Sequence, residues 1–173
     1  MTVKLLAGIG LFTIIMSGLF FVNLNSEDSI PVVYAISEAT AANGTPSIES
    51  PVPPYSYLQD GFLKVEISNE SPMYPGFGNG LGKDTVYVFE NVFTIKNNES
   101  ETGESEICVR ITSDSAKIGV FEGKFEGSWS QSISVSLLAN ETAYIGIHID
   151  THNLTLGDYN SAITIQAVGG SCE

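Results

Sequence analysis

From Pro54 onward, apolar side chains recur at every second residue, in block after block. Leu63, Val65 and Ile67 alternate in "FLKVEIS", and Phe93 and Ile95 in "VFTIKNN". Ile107, Val109 and Ile111 do so in "EICVRIT", and Ile133, Val135 and Leu137 in "SISVSLL". Ile145, Ile147 and Ile149 follow in "YIGIHID", then Ile163, Ile165 and Ala167 in "AITIQAV". Successive strand side chains point to opposite faces, so each block has one apolar face and one wet face. Half-buried strands separated by turn signals predict an all-β fold: a single antiparallel β-sandwich over residues 55–173. No block after Asn23 carries a 3.6-residue period, which argues against helices.

One block departs from strict alternation. In "DTVYVFENVFTIKNN" the apolar residues are Val86 and Val88, then Phe89, Val92, Phe93 and Ile95. The apolar parity switches near Glu90 and Asn91. A one-residue bulge, or a bend between two sheets, reverses the facing in this way. A strand buried on both faces is the alternative.

The chain opens differently. "MTVK" precedes eighteen uncharged residues, Leu5 to Val22, and then the acidic "NLNSEDS". Residues 1–26 are expected to be a secretory signal, with small residues for cleavage at Ser26, Ala35 or Ala41. The apolar run also nears the roughly 20 residues that span a bilayer, so retention as a membrane anchor helix is the alternative. In either case Lys4 directs the rest outside, to an extracellular or cell-surface location. Residues 27–54 read as an extended arm ending in a proline-rich linker, "EATAANGTPSIESPVPP". Within the arm, "SIPVVYAIS" alternates Ile30, Val32, Tyr34 and Ile36.

Twenty acidic against seven basic residues give a formal charge of −13. Nucleic acid is excluded as a partner, because phosphate binding needs clustered Lys and Arg. The two cysteines, Cys108 and Cys172, suit an oxidising compartment. A bond between them would close a loop of about 65 residues and tie the tail to a strand; two free thiols are the alternative. Sequons for N-glycans stand at Asn43, Asn69, Asn98, Asn140 and Asn153, with Pro72 weakening the one at Asn69.

Catalytic motifs were sought and set aside. The glycine run "YPGFGNGLGKDT" misses the phosphate-loop register: Phe77 stands where the first glycine belongs, and Asp84 follows Lys83. It also leads into β-branched and aromatic residues rather than a helix whose amides would hold phosphate. His148, Asp150 and His152 in "HIDTH" share one strand face on paper, and two imidazoles with a carboxylate suit zinc or copper. A polar outer face running into a turn explains them equally. The scattered acids hold no calcium-loop spacing. No catalytic residue is assigned, no cofactor is expected, and a non-enzyme is the expectation.

The stretch "GNGLGKDTVYVFENVFTIKNN" resembles an archaeal family of exported β-sandwich proteins that includes the bundling pilins. That family is similar to the TasA and camelysin biofilm fibre proteins of bacteria. The residues that carry the resemblance are Phe89, Val92, Phe93, Ile95, Asn97 and Asn98, behind an early strand like "YLQDGFLKVEIS". The resemblance implies a jelly-roll-like sandwich subunit and a homopolymer built by donor-strand complementation, in which one subunit's N-terminal strand fills a groove in the next. Ile30, Val32, Tyr34 and Ile36 are the donor residues on this reading, and cleavage after Ser26 would place them almost at the mature terminus. The expected function is a pilus or biofilm-fibre subunit, in contact with membrane only through its N-terminal segment. The alternatives are a membrane-anchored monomeric adhesin or envelope module, a type IV-like pilin, and a metal-dependent enzyme using the "HIDTH" residues.

Overall fold

The computed structural model describes residues 19–21, 27–37, 55–60, 62–72 and 79–173. The strands are β1 (Leu19–Phe21), β2 (Glu27–Ser37), β3 (Ser56–Gln59), β4 (Phe62–Ile67), β5 (Leu81–Gly82) and β6 (Val86–Lys96). A single helical turn, α1 (Glu99–Thr102), follows. Then come β7 (Glu106–Ser113), β8 (Ile118–Glu122), β9 (Ser132–Leu138), β10 (Thr142–Asp150) and β11 (Gly157–Gly169).

These strands form two sheets. One has the order β1-β6-β10-β8; the other runs β3-β4-β2-β11-β7-β9, with β5 also paired to β2. Their inner faces share one apolar core, drawn from all six alternating blocks. Ile107, Val109 and Ile111 meet Ile145, Ile147, Ile149, Ile163 and Ile165 there, all fully buried. The all-β sandwich expected from the alternation is what forms. Each core side chain contributes about 1.5–3 kcal/mol on full burial.

The parity change in β6 has a different cause from the one expected. Phe89 pairs with Ile147 and Phe93 with Ile145, so β6 spends two more residues than β10 across the bulge. Two extra residues restore the facing, whereas one would reverse it. Tyr87 and Phe89 therefore pack against the core on the same side as Phe93 and Ile95. Val86 and Val88 face solvent, 46% and 38% exposed, and are not core residues. Asn91 takes the left-handed turn of the bulge, with φ 54°, a conformation asparagine tolerates better than most residues.

Of the apolar N-terminal run, only Leu19–Phe21 is described. It is extended and runs parallel to Thr94–Lys96 of β6. The remainder of the expected signal or anchor helix, and the linker at 38–54, lie outside the described residues. Cys108 and Cys172 form a disulfide, with Cα atoms 4.9 Å apart. It fastens the tail across β7, and the Cys172 N–H donates to Ser136 Oγ on β9 at 3.0 Å.

Candidate functional site

The arm is the first structural surprise. β2 is an interior strand of its own domain, lying between β4 and β11. It pairs antiparallel with β11 over ten residues, with Ile30 opposite Ile163 and Tyr34 opposite Tyr159. On its other side it runs parallel to β4, from Val32 opposite Val65 to Tyr34 opposite Ile67. Pairing with β4 begins only at Val32, so Pro31 stands where β2 has one partner strand, a position that tolerates a missing N–H.

Three of the four expected donor side chains fill the sandwich. Ile30, Val32 and Tyr34 are 1%, 0% and 2% exposed. The Tyr34 ring stacks on Tyr159 at 5.4 Å and 10°. Burial, then the neighbouring Tyr159, raises the Tyr34 hydroxyl above its ordinary pKa. Ile36 is in register with Gly157 and with Leu81; its side chain lies outside the described residues.

The glycine run closes the end of the same groove. Its residues 74–78 lie outside the described residues, but Leu81–Gly82 runs parallel to Ile36–Ser37. Leu81 is buried, and the Gly82 N–H donates to the Tyr87 hydroxyl at 2.6 Å. Thr151, fully buried, fastens this turn from the far end of β10. Its Oγ1 accepts the Thr85 N–H at 2.9 Å and lies 2.9 Å from the Gly82 carbonyl and 2.8 Å from that of Thr85. Sequence reasoning passed over Thr151, which sits between the more conspicuous Asp150 and His152.

The "NN" that ends the central motif is structural. Asn97 is fully buried at the exit of β6. Its Nδ2 donates to the carbonyls of Glu104 and Leu137, each at 3.2 Å, and its Oδ1 accepts the Thr102 hydroxyl at 2.9 Å. Its backbone N–H donates to Glu141, and its carbonyl accepts from Asn140. One residue therefore ties α1, β9 and the β9–β10 turn together. Asn98 is half-buried and accepts the Ser100 hydroxyl at 2.9 Å. Among the other sequons, Asn69, Asn140 and Asn153 are exposed, and Asn43 lies outside the described residues. Asn140 and Asn153 have φ of 64° and 61°, so the turns themselves favour asparagine there.

The three "HIDTH" residues do not assemble as metal ligands. His148 is only 5% exposed, sealed beneath Trp129, whose ring stacks on it at 4.4 Å and 15°. Burial pushes its pKa below the ordinary histidine value, opposed by nearby Asp150. Asp150 is occupied elsewhere: its Oδ1 lies 2.7 Å from His152 Nδ1 and accepts the His152 N–H at 2.9 Å. Its second oxygen lies 3.6 Å from Lys117 Nζ. The His152 backbone N–H, then its ring and Lys117, hold the Asp150 carboxyl below the usual range. Among the described residues, no group of three or more His, Cys, Asp or Glu side chains is placed to hold an ion. His148 and Asp150 stand two apart on β10, as the alternation implied, whereas His152 lies in a turn past the end of that strand; the aromatic cover over His148 was not legible.

That cover is a second feature the sequence reading missed. Gly119 of β8 lies beside His148, and a Cβ there would fall 2.1 Å from the Trp129 ring. Gly146 of β10 makes the same room for Phe121, with a 2.2 Å approach. Phe125 meets Phe121 edge-on at 5.0 Å and lies 6.2 Å from His148. Two glycines on adjacent strands thus admit two aromatic rings onto the outer face of the smaller sheet.

Fold and groove together define an all-β sandwich domain whose larger sheet is completed by an N-terminal strand. The chain belongs to the family described as Protein of unknown function (DUF1102), which matches residues 47–172. The matched span takes in β3 to β11 and leaves out β2. No curated protein and no solved structure matches.

Proposed function

We propose that this chain is an exported cell-surface structural subunit that polymerises by passing its arm, residues 27–37, into the groove of a neighbouring copy. The observation that carries the reading is the place of β2. It is an interior strand with Ile30, Val32 and Tyr34 buried, yet it lies outside the family span and is joined to β3 only through residues 38–54. An element with these connections makes the same contacts within a chain or between chains, the requirement for strand exchange. Strand addition supplies main-chain bonds for affinity and alternate side chains for specificity. Here the side chains are Ile30, Val32 and Tyr34. The resemblance of the β6 motif to exported fibre proteins supports the same reading, and the role is structural rather than catalytic.

A second reading is a monomeric surface sandwich that keeps its arm. It is favoured by the completeness of the pairing between β2 and β11 within one chain. A crosslink separates the two. Val33 and Asn160 are directly opposed across β2 and β11. With Val33→Cys and Asn160→Cys introduced together, exchange gives a disulfide-linked ladder on a denaturing gel, and filaments by electron microscopy. Only monomers bridged within the chain, with no filaments, would sink the exchange reading.

A further inference from the structure

Trp129 sits on an otherwise polar loop, "EGKFEGSWSQ". An indole on such a loop is expected to bury its ring, yet Trp129 is 42% exposed. It is nevertheless fixed in place. One face lies against His148, and its edge fills the space that Gly119 leaves open. The backbone on either side is pinned, because Val120 and Ser130 exchange both main-chain hydrogen bonds, at 2.7 and 3.1 Å. Trp129 lines an open groove of about 510 Å³ along the edge of β8, which Phe121 and, from β9, Ile133 also line. Around it stand Glu122, Lys124, Glu126, Ser128 and Ser130, all exposed.

We propose that this groove binds a neutral hexose polysaccharide, with one pyranose ring stacked on the free face of Trp129. The volume lies within the ~300–1,000 Å³ range of ligand sites. A pyranose has an apolar C–H face that packs on a flat aromatic ring, and an equatorial rim of hydroxyls that both donate and accept. Glu122 and Glu126 accept from such hydroxyls, Lys124 donates, and the two serines do both. The groove is open to solvent rather than enclosed, which leaves room for a chain to continue past the stacked ring. A cage for an ammonium group would need several exposed aromatic walls; of the two aromatic residues that line this groove, Phe121 is buried and Trp129 alone is exposed. Acidic glycans are disfavoured by two carboxylates against one ammonium in the groove, on a chain of formal charge −13. The pre-set ring costs little entropy to dock against. The site is built chiefly on β8, in the sheet that does not contain the arm, with Ile133 of β9 added from the edge of the other sheet; none of its lining residues belongs to the arm.

Trp129 is the single tryptophan of the chain, so its fluorescence reports the site directly. The experiment uses protein isolated from its source, electrophoresed in gels containing mannan, dextran, soluble β-glucan or alginate, with fluorescence titration alongside. Retardation by at least one of the three neutral polymers is expected, with a matching change in emission. Trp129→Ala and the fully surface change Glu126→Ala should each weaken binding by about tenfold or more, and Glu126→Ala should leave the melting temperature unchanged. Absence of retardation in all three neutral gels would overturn the proposal. So would retention by alginate alone, or parental binding in both variants.

Discussion

Tyr34→Ala tests whether the arm belongs to the fold energetically as well as geometrically. Tyr34 is 2% exposed and stacked on Tyr159. Truncating a buried large aromatic to alanine costs about 3–5 kcal/mol, of which an aromatic pair accounts for about 0.5–1.5 kcal/mol. Tyr159 is half-buried and its hydroxyl is held by Thr155, so its ring can settle only partly into the vacated space. The lower end of the range, about 3 kcal/mol, is the expected loss. With a urea slope of about 2 kcal/mol per molar for a domain of this size, the unfolding midpoint falls by about 1.5 M. The assay is urea unfolding of the chain from Glu27 to Glu173, oxidised, followed by far-UV circular dichroism. Val33→Ala, on the other face of the strand, serves as the control and shifts the midpoint by less than a third as much. A Tyr34→Ala midpoint within about 0.3 M of the parent would refute the reasoning, since the arm would then add nothing to the fold.

Asn97→Ala strands two carbonyls and a threonine hydroxyl in the interior, at about 1–3 kcal/mol for each group left without a partner; a total loss of at least 2 kcal/mol in urea unfolding is expected. Asn98→Ala, whose side chain makes no cap hydrogen bond to α1, should stay within about 0.5 kcal/mol of the parent. The His148 pKa is depressed in the folded state by burial, so the unfolded chain binds its proton first as pH falls. The histidine's contribution is present in full above pH 6.5 and is lost as pH drops from there through the lowered folded value. Asp150 acts only in a lower window, beneath the ordinary carboxylate pKa. Melting temperatures between pH 7.5 and pH 5 should therefore fall for the parent and flatten in His148→Gln; equal slopes in both proteins would assign the effect to other groups.

The larger part of the fold was written in alternation. Each of the six blocks is a strand, and each inward residue named from its period is buried or packed on the core. β8 escaped because both its faces are covered: Ile118 and Val120 point into the sandwich, while Gly119 and Phe121 lie under or among the aromatic cover. A strand sealed on both sides has no polar phase, so period-two reasoning does not see it. The β6 bulge was visible as a disturbance, but its size was not. One extra residue and two leave similar traces in a sequence and opposite facings in a sheet. The donor residues were legible as an alternating strand, whereas the identity of the neighbouring strands was not, because pairing between distant segments leaves no local pattern. The aromatic cover over His148 was hidden for the same reason: Gly119, Trp129, Gly146 and His148 come together only after two strands, β8 and β10, and a loop have folded.

The position of β2 also sets an order of events. Synthesis runs from the N-terminus, so the arm is the first segment of the larger sheet to be made and β11, its longest partner, is the last. The Ile30–Ile163 register thus joins strands from opposite ends of the sequence in the middle of one sheet. Closing that contact is the most expensive loop in the fold and the last that can form. Until β11 emerges, the apolar edge of β2 has no antiparallel partner. On the exchange reading a neighbouring chain's β11 would compete for that edge, and the partition between a closed monomer and a linked pair would then be set by time and concentration, before either product is stable.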